Sequence, residues 1–371
     1  MTTAAAVRLR WREAWPVVLP AVVGAKALTL LAVVASIEHR TASLTWGSLT
    51  QAFTHWDAVS YIDIAGHGYP SQLDYRDAFL PGYPVLIRAA SLVTRDLVPA
   101  GVLVSAVAEL AALLFIHELV RRERDATVAR FAVWAVALAP LGFFLTAAYT
   151  ESAFIAGAAL SLLLMRGGRM RGAALAAAFA VAMRLTGIVL LPVMAVELLR
   201  QHRVRSGAPW LAIIPLPLLV FAAYLQLHTG DALAFLHAES LPSFGESVAW
   251  PWDGLRRTWA TAAGSADPTN RAIFIREISA GLLGLAAVVA AWIDGRFPRS
   301  MALYCTLVWL MAVSLTFWRS VPRYDLALFP IVIVVADLTA RARVVRPVIV
   351  AAGAGVLAWG AFVFAEGGWI G

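Results

Sequence analysis

Apolar runs of ~18 residues or more recur along nearly the whole of this 371-residue chain. Each is long enough to cross a ~30 Å hydrocarbon core. A backbone inside lipid must satisfy its own hydrogen bonds, which restricts such runs to helices. Composition agrees, since 61% of residues are hydrophobic and 14% charged, where soluble domains carry about a quarter charged. The mean hydropathy is +0.76. The sequence therefore predicts an all-α polytopic membrane protein. It has no solvated linker, low-complexity tract or obvious internal repeat, so 1–371 reads as a single membrane domain.

The formal net charge of +7 could suggest a nucleic-acid partner, but the basic residues do not form one patch. They fall in short clusters between the apolar runs: Arg8, Arg10 and Arg12; Arg121, Arg122 and Arg124; Arg166, Arg169 and Arg171; Arg200, Arg203 and Arg205; Arg296 and Arg299; Arg341, Arg343 and Arg346. Such spacing is the positive-inside signature of cytoplasmic loops, so the charge reports topology and implies no nucleic acid. The N-terminus is then cytoplasmic, with spans near 16–36, 98–119, 126–146, 151–165, 172–183, 187–199, 209–227, 279–293, 301–318, 325–340 and 347–365. Segments 37–97, 147–151, 228–278 and 319–324 face away from the cytoplasm. The first run follows a short basic arm without a small-residue cleavage pattern and reads as a retained helix. The expected location is the cell membrane, multi-pass. Cys305 lies alone inside an apolar run, which leaves no disulfide and no Cys-based metal site.

Three details refine this layout. Residues 79–93 are apolar and are expected as an interfacial helix with Arg88 snorkelling, because a crossing there would reverse the Arg121–Arg124 cluster. Residues 172–199 are interrupted at Arg184-Leu185-Thr186-Gly187. A hairpin of two short helices keeps both flanking Arg clusters on one side and puts Arg184 at its tip, lining a polar cavity. Lys26 and Glu109 fall at similar depths in their spans, and a structural ion pair is the expected relation.

The first outer segment holds His55-Trp56-Asp57-Ala58-Val59-Ser60-Tyr61-Ile62-Asp63 and, further on, Gly66, Gly68 and Tyr69. If 55–65 is helical, Asp57, Tyr61 and Ile64 share one face, and Asp63 lies about 120° away. The two acids are then not the paired carboxylates of glycoside hydrolysis. A C-terminal stop is expected at Gly66 or Gly68. Asp57 is either a helix N-cap or a chemical group, and Trp56 and Tyr69 are either substrate contacts or aromatic-belt anchors.

His55-Trp56-Asp57-Ala58, Tyr61-Ile62, Ile64-Ala65, Gly68-Tyr69, Ala78-Phe79-Leu80-Pro81-Gly82-Tyr83-Pro84 and Arg88 together resemble the first luminal loop of PIG-V-type mannosyltransferases, members of the GT-C superfamily. Tyr149-Thr150-Glu151-Ser152-Ala153-Phe154, Arg184-Leu185-Thr186-Gly187 and Pro322-Arg323-Tyr324-Asp325 are weaker matches. Ser60 and Gly82 depart from the family's usual aromatic and bulkier residues. The resemblance implies a GT-C-like bundle of roughly 11 transmembrane helices, with catalysis in a first extracytoplasmic loop containing interfacial helices. It also implies mannose, a polyprenyl-phosphate-mannose donor, and Asp57 as the catalytic base.

The chemistry is consistent with that implication. A sugar on a lipid phosphate already has a good leaving group, so one carboxylate to deprotonate the acceptor and cations for the departing phosphate suffice. Arg184, Arg323 and Arg319 are candidate phosphate ligands, because guanidinium forks suit phosphate oxygens; His55 beside Asp57 is a fourth. Trp56, Tyr61, Tyr69, Glu151 and Tyr324 are candidate substrate contacts, although Glu151 could equally cap its helix. Trp250 and Trp252 form either a sugar or lipid platform or part of an interfacial belt. His39, His67, His228 and His237 have no metal-ligand spacing, so no metal or cofactor is expected, although a divalent ion bridging Asp57 and phosphate stays open.

The sequence thus points to an inverting transferase moving mannose from a polyprenyl-phosphate donor to a lipid, glycolipid or protein acceptor on the non-cytoplasmic face. The competing reading is a transporter or flippase of a lipid-linked sugar, with the broken 172–199 helix and the intramembrane charges as its pathway.

Overall fold

The computed structural model describes residues 11–342 and 344–371, so Arg8, Arg10 and Arg343 of the basic clusters lie outside the described residues. Every expected span has a helical counterpart. The helices are α1 (Trp11–His39), α2 (Trp46–Ala52), α3 (Asp57–His67), α4 (Gly82–Thr94), α5 (Leu97–Glu123), α6 (Ala126–Ala137), α7 (Glu151–Arg166), α8 (Met170–Met183) and α9 (Leu190–Arg200). They continue as α10 (Val204–Leu211), α11 (Leu216–Thr229), α12 (Ala234–His237), α13 (Pro251–Gly264), α14 (Pro268–Ile293), α15 (Arg299–Val313), α16 (Val321–Tyr324), α17 (Val332–Leu338) and α18 (Val345–Ala365). Five helical stretches are long and apolar enough to cross a membrane: Arg12–His39, Leu97–Glu123, Val204–Thr229, Pro268–Ile293 and Val345–Ala365. The other apolar helices are shorter, and α8 and α9 form the expected hairpin.

Helix α7 is the centre of the bundle. It is buried nearly all round, and its small residues Ala153, Ala156, Gly157, Ala158 and Ala159 let α5 and α8 approach closely. One end of the bundle gathers the basic clusters. There Arg166 pairs with Glu123 and Glu197, Arg124 with Asp337 and Asp294, Gln201 donates to the Met165 carbonyl and Arg203 to that of Gly168. Because α8 starts at this end and α9 finishes there, Arg184 between them stands at the opposite end, as the charge pattern requires. The chain is extended at Arg184 and then makes a 3-10 turn over Leu185–Val189. A Cβ on Gly187 would collide with the Val181 backbone, so this tip closes only with glycine.

Three spans differ from expectation. The run 126–146 is not one helix: α6 stops at Ala137, and the chain proceeds through Pro140 and a 3-10 turn at Gly142–Leu145 to α7. Pro140 has no N–H to donate and restricts the residue before it, which ends the helix. Helix α15 likewise stops at Val313, and 314–318 bonds to the outer loop through the Val248–Leu315 bridge. The span expected at 325–340 begins as a 3-10 turn, Asp325–Ile331, containing Pro330. The Lys26–Glu109 ion pair is present, and Lys26 also donates to Leu145 and Thr146 of the broken 138–150 segment.

The apolar run 79–93 forms helix α4, packed on α5 and α3 with Val85, Arg88, Leu92 and Val93 exposed. Its first residue, Gly82, abuts the Ala182 carbonyl so closely that any side chain would collide. That contact accounts for the missing bulk at Gly82.

Candidate active site

Helix α3 begins at Asp57 and ends at His67, with Gly68 at φ +80 beyond it. Tyr61 and Ile64 are buried on the face shared with Asp57. Asp63 points elsewhere, to Arg76 and His67, and the Arg76 hydrogen bond holds its carboxyl below the usual range. The capping alternative for Asp57 is not realised. Trp56 occupies the cap position with φ 54 and ψ −126, a backbone region costly for a non-glycine residue, and it makes no side-chain cap bond. That backbone kink leaves Asp57 in the first helical turn with its carboxylate turned toward a distant part of the chain.

The partner is Arg323, 266 residues away, whose Nη1 donates to Asp57 Oδ2 at 2.6 Å. Its Nε lies 3.3 Å from Glu151 Oε1. The same Glu151 oxygen accepts from Arg184 Nη1, which also reaches Thr150 Oγ1 at 3.4 Å. Aromatic faces complete the enclosure: Arg323 lies 5.4 Å from the Tyr149 ring centre and 5.6 Å from that of Phe144, and Arg184 lies 4.7 Å from that of Tyr324.

Two acids and two arginines from four chain segments therefore meet at the end opposite the basic clusters. Both acids sit in the first turn of a helix, and Arg184 caps the C-terminus of α8, so the helix dipoles favour each charge. Accessibility ranks the acids. The Asp57 side chain keeps 20% of its surface exposed and Glu151 only 3%, so Asp57 is the more accessible of the two. The space among Glu151, Arg184, Thr186, Arg323 and Tyr324 is about 10 Å³, room for roughly one water.

The structure brings together Asp57, Glu151, Arg184, Arg323 and Tyr324, places Tyr61 beside them through Thr150, and separates the other expected residues from them. Arg319 faces the outer loop, donating to the Phe244 carbonyl at 2.8 Å and lying 3.7 Å from Glu246. The His55 ring packs edge-on against Phe364, and its burial lowers its pKa from the ordinary histidine value. Trp56 is half-exposed, touches Trp369 and donates to the Gly368 carbonyl. Tyr61, enclosed by Phe79, Tyr83 and Tyr149, reaches the Thr150 hydroxyl at 3.5 Å and so borders the cluster through the same group that Arg184 contacts. Tyr69 bonds the Phe79 carbonyl, packs on Phe221 and Tyr224, and shapes the loop.

Residues not singled out from sequence also contribute. Tyr149 donates its hydroxyl to the His55 carbonyl at 3.1 Å while carrying Arg323 on its ring. The available signal was its place in the Tyr149-Thr150-Glu151 string. Glu239, from the outer loop, reaches solvent at the mouth of the cleft although protein surrounds its carboxyl on most sides. Burial, with the nearby carboxylates of Asp57 and Glu246, pushes its pKa up to about 7. Trp250 and Trp252 stack at 5.0 Å and are both exposed, away from the acid–arginine cluster's contacts. Among the described residues no group of three or more His, Cys, Asp or Glu side chains gathers as a metal site.

Beyond the turn that carries Arg323 lies an apolar groove of about 440 Å³. Val136, Leu141, Leu283, Phe329, Val332 and Trp359 line it, with Arg276 and Asp325 as its charged residues.

Comparison with curated proteins gave no match. Among solved structures, the oligosaccharyltransferase of Archaeoglobus fulgidus is similar at 11% identity over 91% of this chain and 52% of that one, with a TM-score of 0.42. ArnT from Cupriavidus metallidurans, solved bound to undecaprenyl phosphate, is similar at 14% identity over 93% and 77%, with a TM-score of 0.43. The chain spans about half the length of the archaeal enzyme. The family model described as mannosyltransferase (PIG-V) matches residues 16–204, half of the chain, including Asp57, Glu151 and Arg184. On that match, and with those three residues meeting in one cluster, the chain belongs to the PIG-V mannosyltransferase family.

Proposed function

We propose that this protein transfers a mannosyl group from a polyprenyl-phosphate donor to a hydroxyl of a lipid, glycolipid or protein acceptor, in one displacement that inverts the anomeric carbon. The observation that carries this reading is the Asp57–Arg323–Glu151–Arg184 cluster, held where helices break. In the step, the acceptor oxygen bonds to the anomeric carbon as the bond from that carbon to the phosphate oxygen breaks. The hydroxyl proton passes to Asp57, and the bonding electrons leave with the phosphate. Arg184 and Arg323 stabilise the departing phosphate, since fixed cations at a developing negative charge lower the barrier. Glu151, which pairs with both, orients them. The donor's isoprenoid chain occupies the apolar groove beside the Arg323 turn. The basic end is cytoplasmic and the site extracytoplasmic, in the cell membrane.

The test is transfer of label from polyprenyl-phosphate mannose into a membrane lipid extract by the purified protein in detergent. Incorporation that is lost in Asp57→Asn supports the reading. Folded protein that moves no label in detergent but carries the lipid-linked sugar across sealed vesicles overturns it in favour of transport. Orientation is tested with cysteines at the exposed positions Ser71 and Ser247 in a background lacking Cys305. Both should react with an impermeant thiol reagent in intact cells; opposite accessibility would sink the shared outer site.

A further inference from the structure

We infer that Lys26, inside the membrane-spanning helix α1, is a positioning residue for the Asp57–Arg323 pair, acting through the broken segment 138–150. This rests on the transfer reading for its kinetic arm only. The starting observation is a backbone group without a helical partner. Leu145 ends a 3-10 turn inside the bundle, and among the described residues no backbone N–H reaches its carbonyl oxygen. Lys26 Nζ donates to that oxygen at 3.1 Å and to Thr146 Oγ1 at 3.1 Å, and it forms an ion pair with the fully buried carboxylate of Glu109. An ammonium has three N–H groups, so two can serve 145–146 while the charge faces Glu109. Glu109 alone would balance the charge, so the two bonds to 145–146 are an additional task.

What that clasp holds leads directly to the site. Three residues on, the Tyr149 carbonyl accepts from Ser105 of α5, and its hydroxyl supports the His55 carbonyl, two residues before Asp57. The Tyr149 ring underlies Arg323. Thr150 and Glu151 then receive Arg184, and Glu151 receives Arg323. Residues 146–150 lie between the 3-10 turn and α7 without a regular helix, so side-chain bonds from α1 and α5 add to the few turn bonds that place them. A displacement on the order of 1 Å at reacting groups can cost 10²-fold in rate.

The experiment uses the double variant Lys26→Met/Glu109→Gln, which removes both charges together and leaves neither buried and unpaired. We expect kcat for mannosyl transfer to fall by roughly 10- to 100-fold with the donor KM little changed and the unfolding temperature near that of the parent. Backbone amides of 142–151 should exchange with deuterium faster. A folded double variant with parental kcat and parental exchange over 142–151 overturns the inference, as does a rate loss that only tracks a lower unfolding temperature. Thr146→Val, which deletes one bond without touching a charge, gives an independent measure: a smaller fall in kcat with faster exchange supports the clasp. Unchanged values for both overturn it, even where the double variant fails to fold. If the parent moves no label, the transfer reading fails, and the exchange data alone decide on Lys26.

Discussion

At the basic end of the bundle Arg124 meets Asp337 and Asp294, and at the opposite end Arg323 meets Asp57 and Glu151. Burial does not separate the two groups: the arginine side chains keep 12% and 9% of their surface exposed. Their supports do. Arg124 and Asp294 flank the ends of long regular helices and Asp337 closes a short one, so each lies where the chain would end a helix in any case. Asp57 follows a strained Trp56, Arg323 follows Ser320 at φ 62, and Arg184 interrupts a hairpin. Ion pairs on regular ends hold helices together, whereas ion pairs mounted on strained, broken ends hold side chains for something else.

The strongest way to break this contrast is Asp57→Asn. Transfer should fall by about 10²–10⁴-fold, the usual contribution of a general base, while the unfolding temperature changes little. Near-parental turnover by a folded variant would remove Asp57 from the chemistry. At the other end the expectation reverses. Arg124→Met leaves Asp337 and Asp294 with the exposed Arg296 as their partner and should lower stability by about 1–3 kcal/mol, read by thermal unfolding in detergent, with kcat of the folded fraction unchanged. A kinetic loss without destabilisation there would erase the distinction.

Arg184→Lys sharpens the picture within the site, because it keeps the charge and loses the fork. Donor KM should rise roughly tenfold with acceptor dependence unchanged; a lowered unfolding temperature with unchanged donor KM would assign Arg184 a structural task.

The smallest effect concerns pH. Glu239 is held up to about 7 from the ordinary 4.5, so between those values the folded protein binds more protons than the unfolded chain. Stability should therefore fall as pH rises through that window. Glu239→Gln should flatten the dependence of unfolding temperature on pH there; an identical slope in both proteins would contradict a raised pKa for this acid.

How far the sequence could be read follows from the same contrast. The regular parts were legible because apolar length and Arg clusters act locally: the long apolar helices, the hairpin with Arg184 at its tip and the Lys26–Glu109 pair all follow from depth and charge. Among the described residues five stretches, not the roughly eleven expected, are long and apolar enough to cross a membrane. The α3 face was legible from helical spacing. The broken parts were not. The helix predicted to continue to 146 stops at Ala137 ahead of Pro140, and the broken stretch beyond is then held by Lys26 and Ser105 from other helices, which no local pattern reveals. His55 and Arg319 look like site residues beside Asp57 and Arg323 in sequence, yet Phe364 and Phe244 draw them away. Glu151 could not be distinguished from a helix cap, because both its arginine partners come from outside its own segment.

The formal charges of Asp57, Glu151, Arg184 and Arg323 cancel, and little free space lies among Glu151 and the two arginines. A site with no surplus charge casts little field beyond a Debye length, so it does not draw an anionic lipid from a distance. The donor would arrive by sideways diffusion in the bilayer, and recognition would begin only on contact, when a phosphate takes the place of a carboxylate beside an arginine. Selectivity would then reside in that exchange of partners, with the carboxylates of Asp57 and Glu151 competing with the phosphate for the two arginines.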